Sequence, residues 1–277
     1  MIKVVRIFVW AVVAALSTAA MGLAPLYAKA IEPEMLDSLP PADVVILGEV
    51  HDNPAHHLNQ TRAVAALQPK ALVFEMLTPD LAQLVSPALR SDEQALAAAL
   101  GWAELGWPDF AMYYPIFLAA PDAPVFGGAV PREDVRRAMT VGAGAVFGDA
   151  ARKYGLDADL DPNEQALREV EQMTAHCDAL SVAMIPGMVS AQRLRDAALA
   201  RAALQAFDAT GGPVVVITGS GHADRLRGIP VALAHAAPDL RVLSVGQLES
   251  DPGKDAPFDL WLVTDPHPRP DPCAASR

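Results

Sequence analysis

The sequence predicts an α/β fold: a mostly parallel sheet flanked by helices, with an inserted helical subdomain. Six short apolar runs, rich in β-branched residues, are separated by stretches of helical character, the pattern of strands buried on both faces of a parallel sheet. Two long segments, Thr78 to Pro121 and Arg132 to Asp208, carry almost no strand signal beside alanine- and leucine-rich helical periodicity. The first and the fourth apolar runs each end in Gly-x-x-His.

The amino terminus reads as a secretory signal peptide over residues 1–30. Lys3 and Arg6 precede an uncharged run from Ile7 to Ala28, and Ala28-Lys29-Ala30 supplies an A-x-A pattern before Ile31. The run approaches the length of a bilayer span, so an uncleaved anchor is the alternative; Ser17, Thr18 and the small-residue end favour cleavage. The first cysteine is Cys177, so there is no lipobox, and the expected location is the periplasm.

Residues 31–250 form the expected domain. Asp43 to Gly48 is a strand, Asn53 an N-cap with Pro54 at the first helical position, and a helix runs to Leu67. Ala71 to Met76 is a second strand and Pro124 to Gly127 a weaker third. Val214 to Gly219 is a fourth, Leu240 to Val245 a fifth and Phe258 to Thr264 a sixth. The helical insertion covers about residues 78–208, and the stretch Val141 to Gly148, with three glycines, fits neither period. Residues 251–277 hold the end of the sheet domain and a Pro-rich tail expected to be mobile over its last dozen positions.

The 277 residues carry a net charge of -12, and 52% are hydrophobic. Removing the leader takes away three cations and no acid, giving -15, which repels nucleic acid. So apolar a chain buries a full core and is not disordered except at its ends. Cys177 and Cys273 either pair in an oxidising compartment, or Cys177 is a buried core thiol; two cysteines alone specify no connectivity.

Gly48-Glu49-Val50-His51 follows the first strand and Gly219-Ser220-Gly221-His222 the fourth, while Glu75 ends the second. Residues leaving the carboxyl ends of parallel strands converge where α/β proteins place ligand crevices, so His51, His222, Glu49 and Glu75 are expected in one pocket. Two imidazoles and two carboxylates suffice for acid/base catalysis, or for a divalent metal held by His51, His222 and Glu75. Bracing of the sheet edge is the structural alternative. Glycine before each motif is read as allowing a sharp turn. Of the adjacent His56 and His57, one at most is expected in the pocket, and a solvated first turn accounts for both equally well.

The run from Gly48 to Asn53 with His56-His57 and Gln60, then Phe74-Glu75-Met76, Trp107 to Ile116, and Pro131-Arg132-Glu133 resemble the opening of the ChaN-like haem-binding family of the Tiki superfamily. His176-Cys177, Met188, Gln192, Arg195-Asp196, Gly219 to His222 and Gly228-Ile229-Pro230 are similar to its later segments, so the resemblance spans about residues 40–246. The segment Gly127-Gly128-Ala129-Val130 and the missing lipobox depart from it. The resemblance implies haem binding through an exposed tyrosine at a homodimer interface, and a role with haem or iron uptake machinery.

Haem needs an axial ligand, apolar surface for its faces and cations or donors for its propionates. Tyr113 and Tyr114 lie in a stretch with Trp102, Trp107, Phe110 and Phe117, either an amphipathic platform or an ordinary aromatic core. His176 is the other ligand candidate, while Met184 and Met188 read as core filling. Gln192, Arg195 and Asp196 share one helix face and either front the pocket or form a solvated network. Two functions follow: a non-enzymatic haem-binding protein, or a metal-dependent hydrolase using His51, His222, Glu49 and Glu75, with Arg132 or Arg195 steadying an anion. No P-loop, Gly-x-Ser-x-Gly elbow or Cys-x-x-Cys is present, which leaves nucleotide hydrolysis, serine esterase chemistry and thiol redox work without support.

Overall fold

The computed structural model describes residues 28–271, 273 and 274, so most of the expected leader lies outside the described residues. Seven strands form one parallel sheet: β1 (Lys29–Ala30), β2 (Val44–Glu49), β3 (Ala71–Phe74), β4 (Val125–Gly127), β5 (Val214–Gly219), β6 (Val242–Leu248) and β7 (Leu260–Val263). Their spatial order is β1-β7-β6-β2-β5-β3-β4, with every pairing parallel. Six match the apolar runs of the sequence. The two-residue β1 is too short to carry a pattern.

The period of two along each strand divides the core. Val45, Leu47, Leu72, Phe74, Val215 and Ile217 face one layer; Val44, Ile46, Ala71, Val73, Val214 and Val216 face the other. Helices Pro54–Leu67 and Phe110–Ala119 cover the first face, where Phe74 and Phe117 stack at 4.3 Å. The 26-residue helix Ile185–Thr210, with helices Arg132–Val141 and Ile229–Ala236, covers the second. Each of these valine, leucine, isoleucine and phenylalanine side chains, fully buried, stabilises the fold by roughly 1.5–3 kcal/mol before entropy is charged against it.

Residues 78–208 thus divide between both faces of the sheet and contribute β4 to it. The ambiguous glycine-rich stretch is the end of helix Arg132–Val141 followed by a short helix, Ala143–Phe147. Among the described residues, no helix is long and apolar enough to cross a membrane.

Cys177 and Cys273 form a disulfide across 96 residues, with Cα atoms 5.3 Å apart. The segment after β7, expected to be mobile, is anchored before it reaches that bond. The Arg269 guanidinium donates to Asp52 at 2.7 Å and to Glu249 at 2.5 and 2.7 Å, and the His267 amide donates to Glu249 at 3.0 Å.

Candidate functional site

Neighbouring strands bring the two Gly-x-x-His segments side by side. In the β2–β5 register Gly48 lies opposite Thr218 and Glu49 opposite Gly219. Gly219 has φ −62° and ψ 146°, ordinary extended backbone, so the expected sharp turn is not why glycine is required there. Space is the reason. A Cβ on Gly219 would lie 2.9 Å from His51 Nε2, and one on Gly48 would lie 2.7 Å from Ser220 Oγ and 2.9 Å from Ser220 Cα. Each glycine makes room for the other motif.

The side chains beyond them form an alternating run of carboxylates and imidazoles. Glu75, leaving β3, accepts hydrogen bonds at Oε2 from Thr218 Oγ1 at 2.7 Å and from the Gly219 amide at 2.8 Å. Its Oε1 faces His222 Nε2 at 3.4 Å and His51 Nε2 at 3.9 Å. His222 Nδ1 donates to Asp196 Oδ1 at 2.6 Å, with the Gln192 amide end 3.1 Å from the same nitrogen. His51 Nδ1 donates to Glu49 Oε1 at 2.7 Å, and Tyr113 donates its hydroxyl to that oxygen at 2.8 Å. Past Glu49, His57 donates Nε2–H to the His51 carbonyl at 2.8 Å. Its Nδ1 and Glu49 Oε2 face each other across 3.5 Å, and neither atom has a hydrogen-bond partner among the described residues.

Burying these carboxylates costs several kcal/mol each unless charge compensates. Burial alone would lower the His222 pKa, but Glu75 and Asp196 outweigh it and push the imidazole up to about 10, so His222 is an imidazolium at neutral pH. Glu75 is also buried, which raises its pKa; the His222 charge and hydrogen bond, then His51 and the Gly219 amide, hold it well below the usual carboxylate range. Burial drives Asp196 upward, and His222 only partly reverses this. His51 loses basicity to burial and gains more from its bond to Glu49 and the charge of Glu75, so its pKa is raised. Tyr113 is raised strongly, first by burial and then by Glu49, and stays a neutral donor.

Glu75 and His222 also line a cleft of about 880 Å³, together with Trp107, Arg132, Arg136 and Arg195. Leu105, Val130 and Leu199 add apolar wall. The Trp107 ring packs on His51 with centroids 4.9 Å apart, and a third of the His51 side chain is exposed.

Residues 35–233 match the family described as haem-binding uptake, Tiki superfamily, ChaN. The chain belongs to that family. Among solved structures, ChaN of Campylobacter jejuni, described as showing cofacial heme binding, is 18% identical with a TM-score of 0.60, covering 81% of this chain and 86% of that one; it supports the fold. The type III effector HopBA1 is 13% identical with a TM-score of 0.43, over 81% of this chain and 88% of its own. A Bacillus cereus protein is 15% identical with a TM-score of 0.35, over 78% and 67%. No curated protein sequence matches the chain.

The structure brings together His51, His222, Glu49 and Glu75, and adds Gln192 and Arg195 at the same place. Tyr113 joins them differently from the expected exposed platform: it is fully buried and its hydroxyl is committed to Glu49. Tyr114 donates to the Arg90 carbonyl at 2.8 Å. His176 sits elsewhere, at the end of helix Pro162–Ala175, with Nδ1 on the Gln172 carbonyl at 2.8 Å. Among the described residues, no group of three or more His, Cys, Asp or Glu is arranged to hold a metal ion.

His56 and His57 are both buried rather than solvated. His56 accepts from the Val50 amide at Nδ1, and burial lowers its pKa to about 4, so it stays neutral while bonded to Thr264. Sequence reasoning leaves Asp196 open between the pocket and a solvated network, allows at most one of His56 and His57 into the pocket, and gives Arg136 no role. The i, i+4 spacing of Gln192 and Asp196 places both on His222, the pocket-facing alternative.

The His222 pKa of about 10 lies above its unfolded 6.5, so its proton stabilises the fold fully below pH 6.5, and this is lost as pH rises toward 10. Glu75, held below its unfolded 4.5, contributes stability above that value and loses it as pH falls. Melting temperature should therefore be highest between roughly pH 5 and 6.5 and fall from about pH 7 to 10. The alkaline fall should shrink in His222→Gln. A wild-type melting temperature flat from pH 7 to 10 would contradict the assignment.

Proposed function

We propose that the protein binds haem outside the cytoplasm and acts in haem or iron uptake, with haem as its cargo. The observation that carries this reading is the family match over most of the described chain. The Cys177–Cys273 disulfide and the leader-like amino terminus support an oxidising, exported location such as the periplasm. A cofacial arrangement, the one named for the Campylobacter jejuni protein, suits two copies of the chain meeting at their ligands, so a homodimer belongs to the reading.

The residues present fit haem. Bound haem supplies an iron centre that takes imidazole nitrogen as an axial ligand. His51 offers such a nitrogen: its Nδ1 is braced by Glu49, its Nε2 has only the 3.9 Å approach of Glu75, and a third of its side chain is exposed beside Trp107. Both tyrosines of the expected platform have their hydroxyls engaged, and Tyr113 has no open face. His51 is therefore the assigned ligand.

Haemin titrated into residues 31–277 should give a saturable shift of the Soret band. His51→Ala should change the band position or weaken binding by at least tenfold, while Tyr114→Phe should leave both unchanged. No saturable shift would defeat the haem reading, and a band lost in Tyr114→Phe would restore tyrosine as the ligand.

A second reading, hydrolysis, is favoured by one observation: two imidazoles with carboxylate-braced Nδ1 atoms direct Nε2 at the same Glu75 oxygen. Neutral His51 would accept the proton of an attacking water while the His222 imidazolium offsets developing negative charge. Hydrolysis of a p-nitrophenyl ester should then rise with pH through the raised His51 pKa and vanish in His51→Ala. A rate indifferent to that substitution would remove this reading.

A further inference from the structure

Most arginines elsewhere in this acidic chain find acids, while Arg90 and Arg193 donate to backbone carbonyls and Arg201 lies over the Phe147 ring. Arg62 pairs with Asp37, Arg137 with Asp134, Arg168 and Arg227 with Glu164, Arg241 with Asp43, and Arg269 with Glu249. Among the described residues Arg132, Arg136 and Arg195 are in no ion pair, although the chain has 33 acids against 21 bases; Arg132 reaches the Leu105 carbonyl at 3.5 Å. All three line the strand-end cleft.

Their placement is built by the fold. Arg132 and Arg136 stand one turn apart on helix Arg132–Val141 and share a face. Arg195 comes from helix Ile185–Thr210, one turn before Leu199 in the cleft wall. Ser190 Oγ donates to the Ala138 carbonyl at 2.8 Å and holds the two helices together, so the guanidiniums reach the cleft from two walls. Opposing charge in the lining comes from Glu104 and from Glu75, and the His222 imidazolium already compensates Glu75. Three guanidiniums against Glu104 leave a surplus of two positive charges at the rim of an otherwise largely apolar cleft.

We propose that this rim is a carboxylate subsite and that the cleft takes the body of a flat apolar dicarboxylate, the two propionates of haem resting on Arg132, Arg136 and Arg195. The inference rests on the haem reading and deepens it. Guanidinium forks match carboxylate geometry bidentately. A volume of about 880 Å³ lies within the range of sites for ligands of this size. Leu105, Trp107, Val130 and Leu199 supply contact for the macrocycle, and the subsite works through the propionates, so it does not require iron.

The test is titration of haemin and of iron-free protoporphyrin IX, followed by Soret absorbance and by tryptophan fluorescence. The proteins are wild type, Arg132→Gln/Arg195→Gln, and Arg137→Gln as a control that breaks the Asp134 pair outside the cleft. Wild type should bind both porphyrins saturably with quenching of Trp107, and the double variant should weaken both by at least tenfold with an unchanged melting temperature. Arg137→Gln should match wild type. Haemin and protoporphyrin affinities unchanged in the double variant, or protoporphyrin that fails to bind while haemin binds, would overturn the subsite and leave the haem reading intact. No saturable haemin binding by wild type would overturn both.

Discussion

Glu75 is held in place by the backbone of the strand beside it. Its Oε2 accepts from Thr218 and from the Gly219 amide, so the register of β3 and β5 sets where the remaining oxygen points, and that oxygen lies between His51 and His222. A carboxylate so deeply buried is tolerable only beside a cation. His222 therefore keeps a proton, and the Nδ1–H this leaves needs an acceptor. Asp196 meets the requirement from the middle of helix Ile185–Thr210, which fixes the rotation of that helix on the sheet. Once Asp196 and Gln192 are turned to His222, Arg195 and Leu199 fall on the cleft wall.

The same edge is tied to the other layer through Glu49. Tyr113 and His57 reach it from helices Phe110–Ala119 and Pro54–Leu67, while His51 connects it to Glu75. Helices on opposite faces are thus joined by one polar run across the strand ends, and removing a member strands a buried charge. This is why Tyr113 is a brace here and not a surface ligand. The haem reading accordingly moves to His51, the member of the run with solvent exposure and a nitrogen in no hydrogen bond.

The strands were legible because sheet burial on both faces leaves long apolar runs with glycine at the end, and the paired Gly-x-x-His segments marked which strand ends meet. What the residues could not reveal was direction. The aromatic stretch around Tyr113 carries no sign of whether its hydroxyl faces solvent or Glu49, and adjacent His56 and His57 turned out to be buried through different partners. The prolines after β7 suggested a loose tail and gave no sign that Arg269 bonds Asp52, 217 positions away, or that Cys273 pairs with Cys177. Likewise, that Arg132, Arg136 and Arg195 line one cleft without an acid partner can be recognised only once the helices that carry them are placed.

The most direct test of the Glu75–His222–Asp196 cluster is the titration of the histidine ring nitrogens by long-range ¹H–¹⁵N NMR, in wild type and in Glu75→Gln. His222 should remain doubly protonated through neutral pH and titrate near 10 in wild type, and move substantially lower in the variant. A wild-type His222 that titrates near 6.5 would contradict the buried ion cluster on which the site is built.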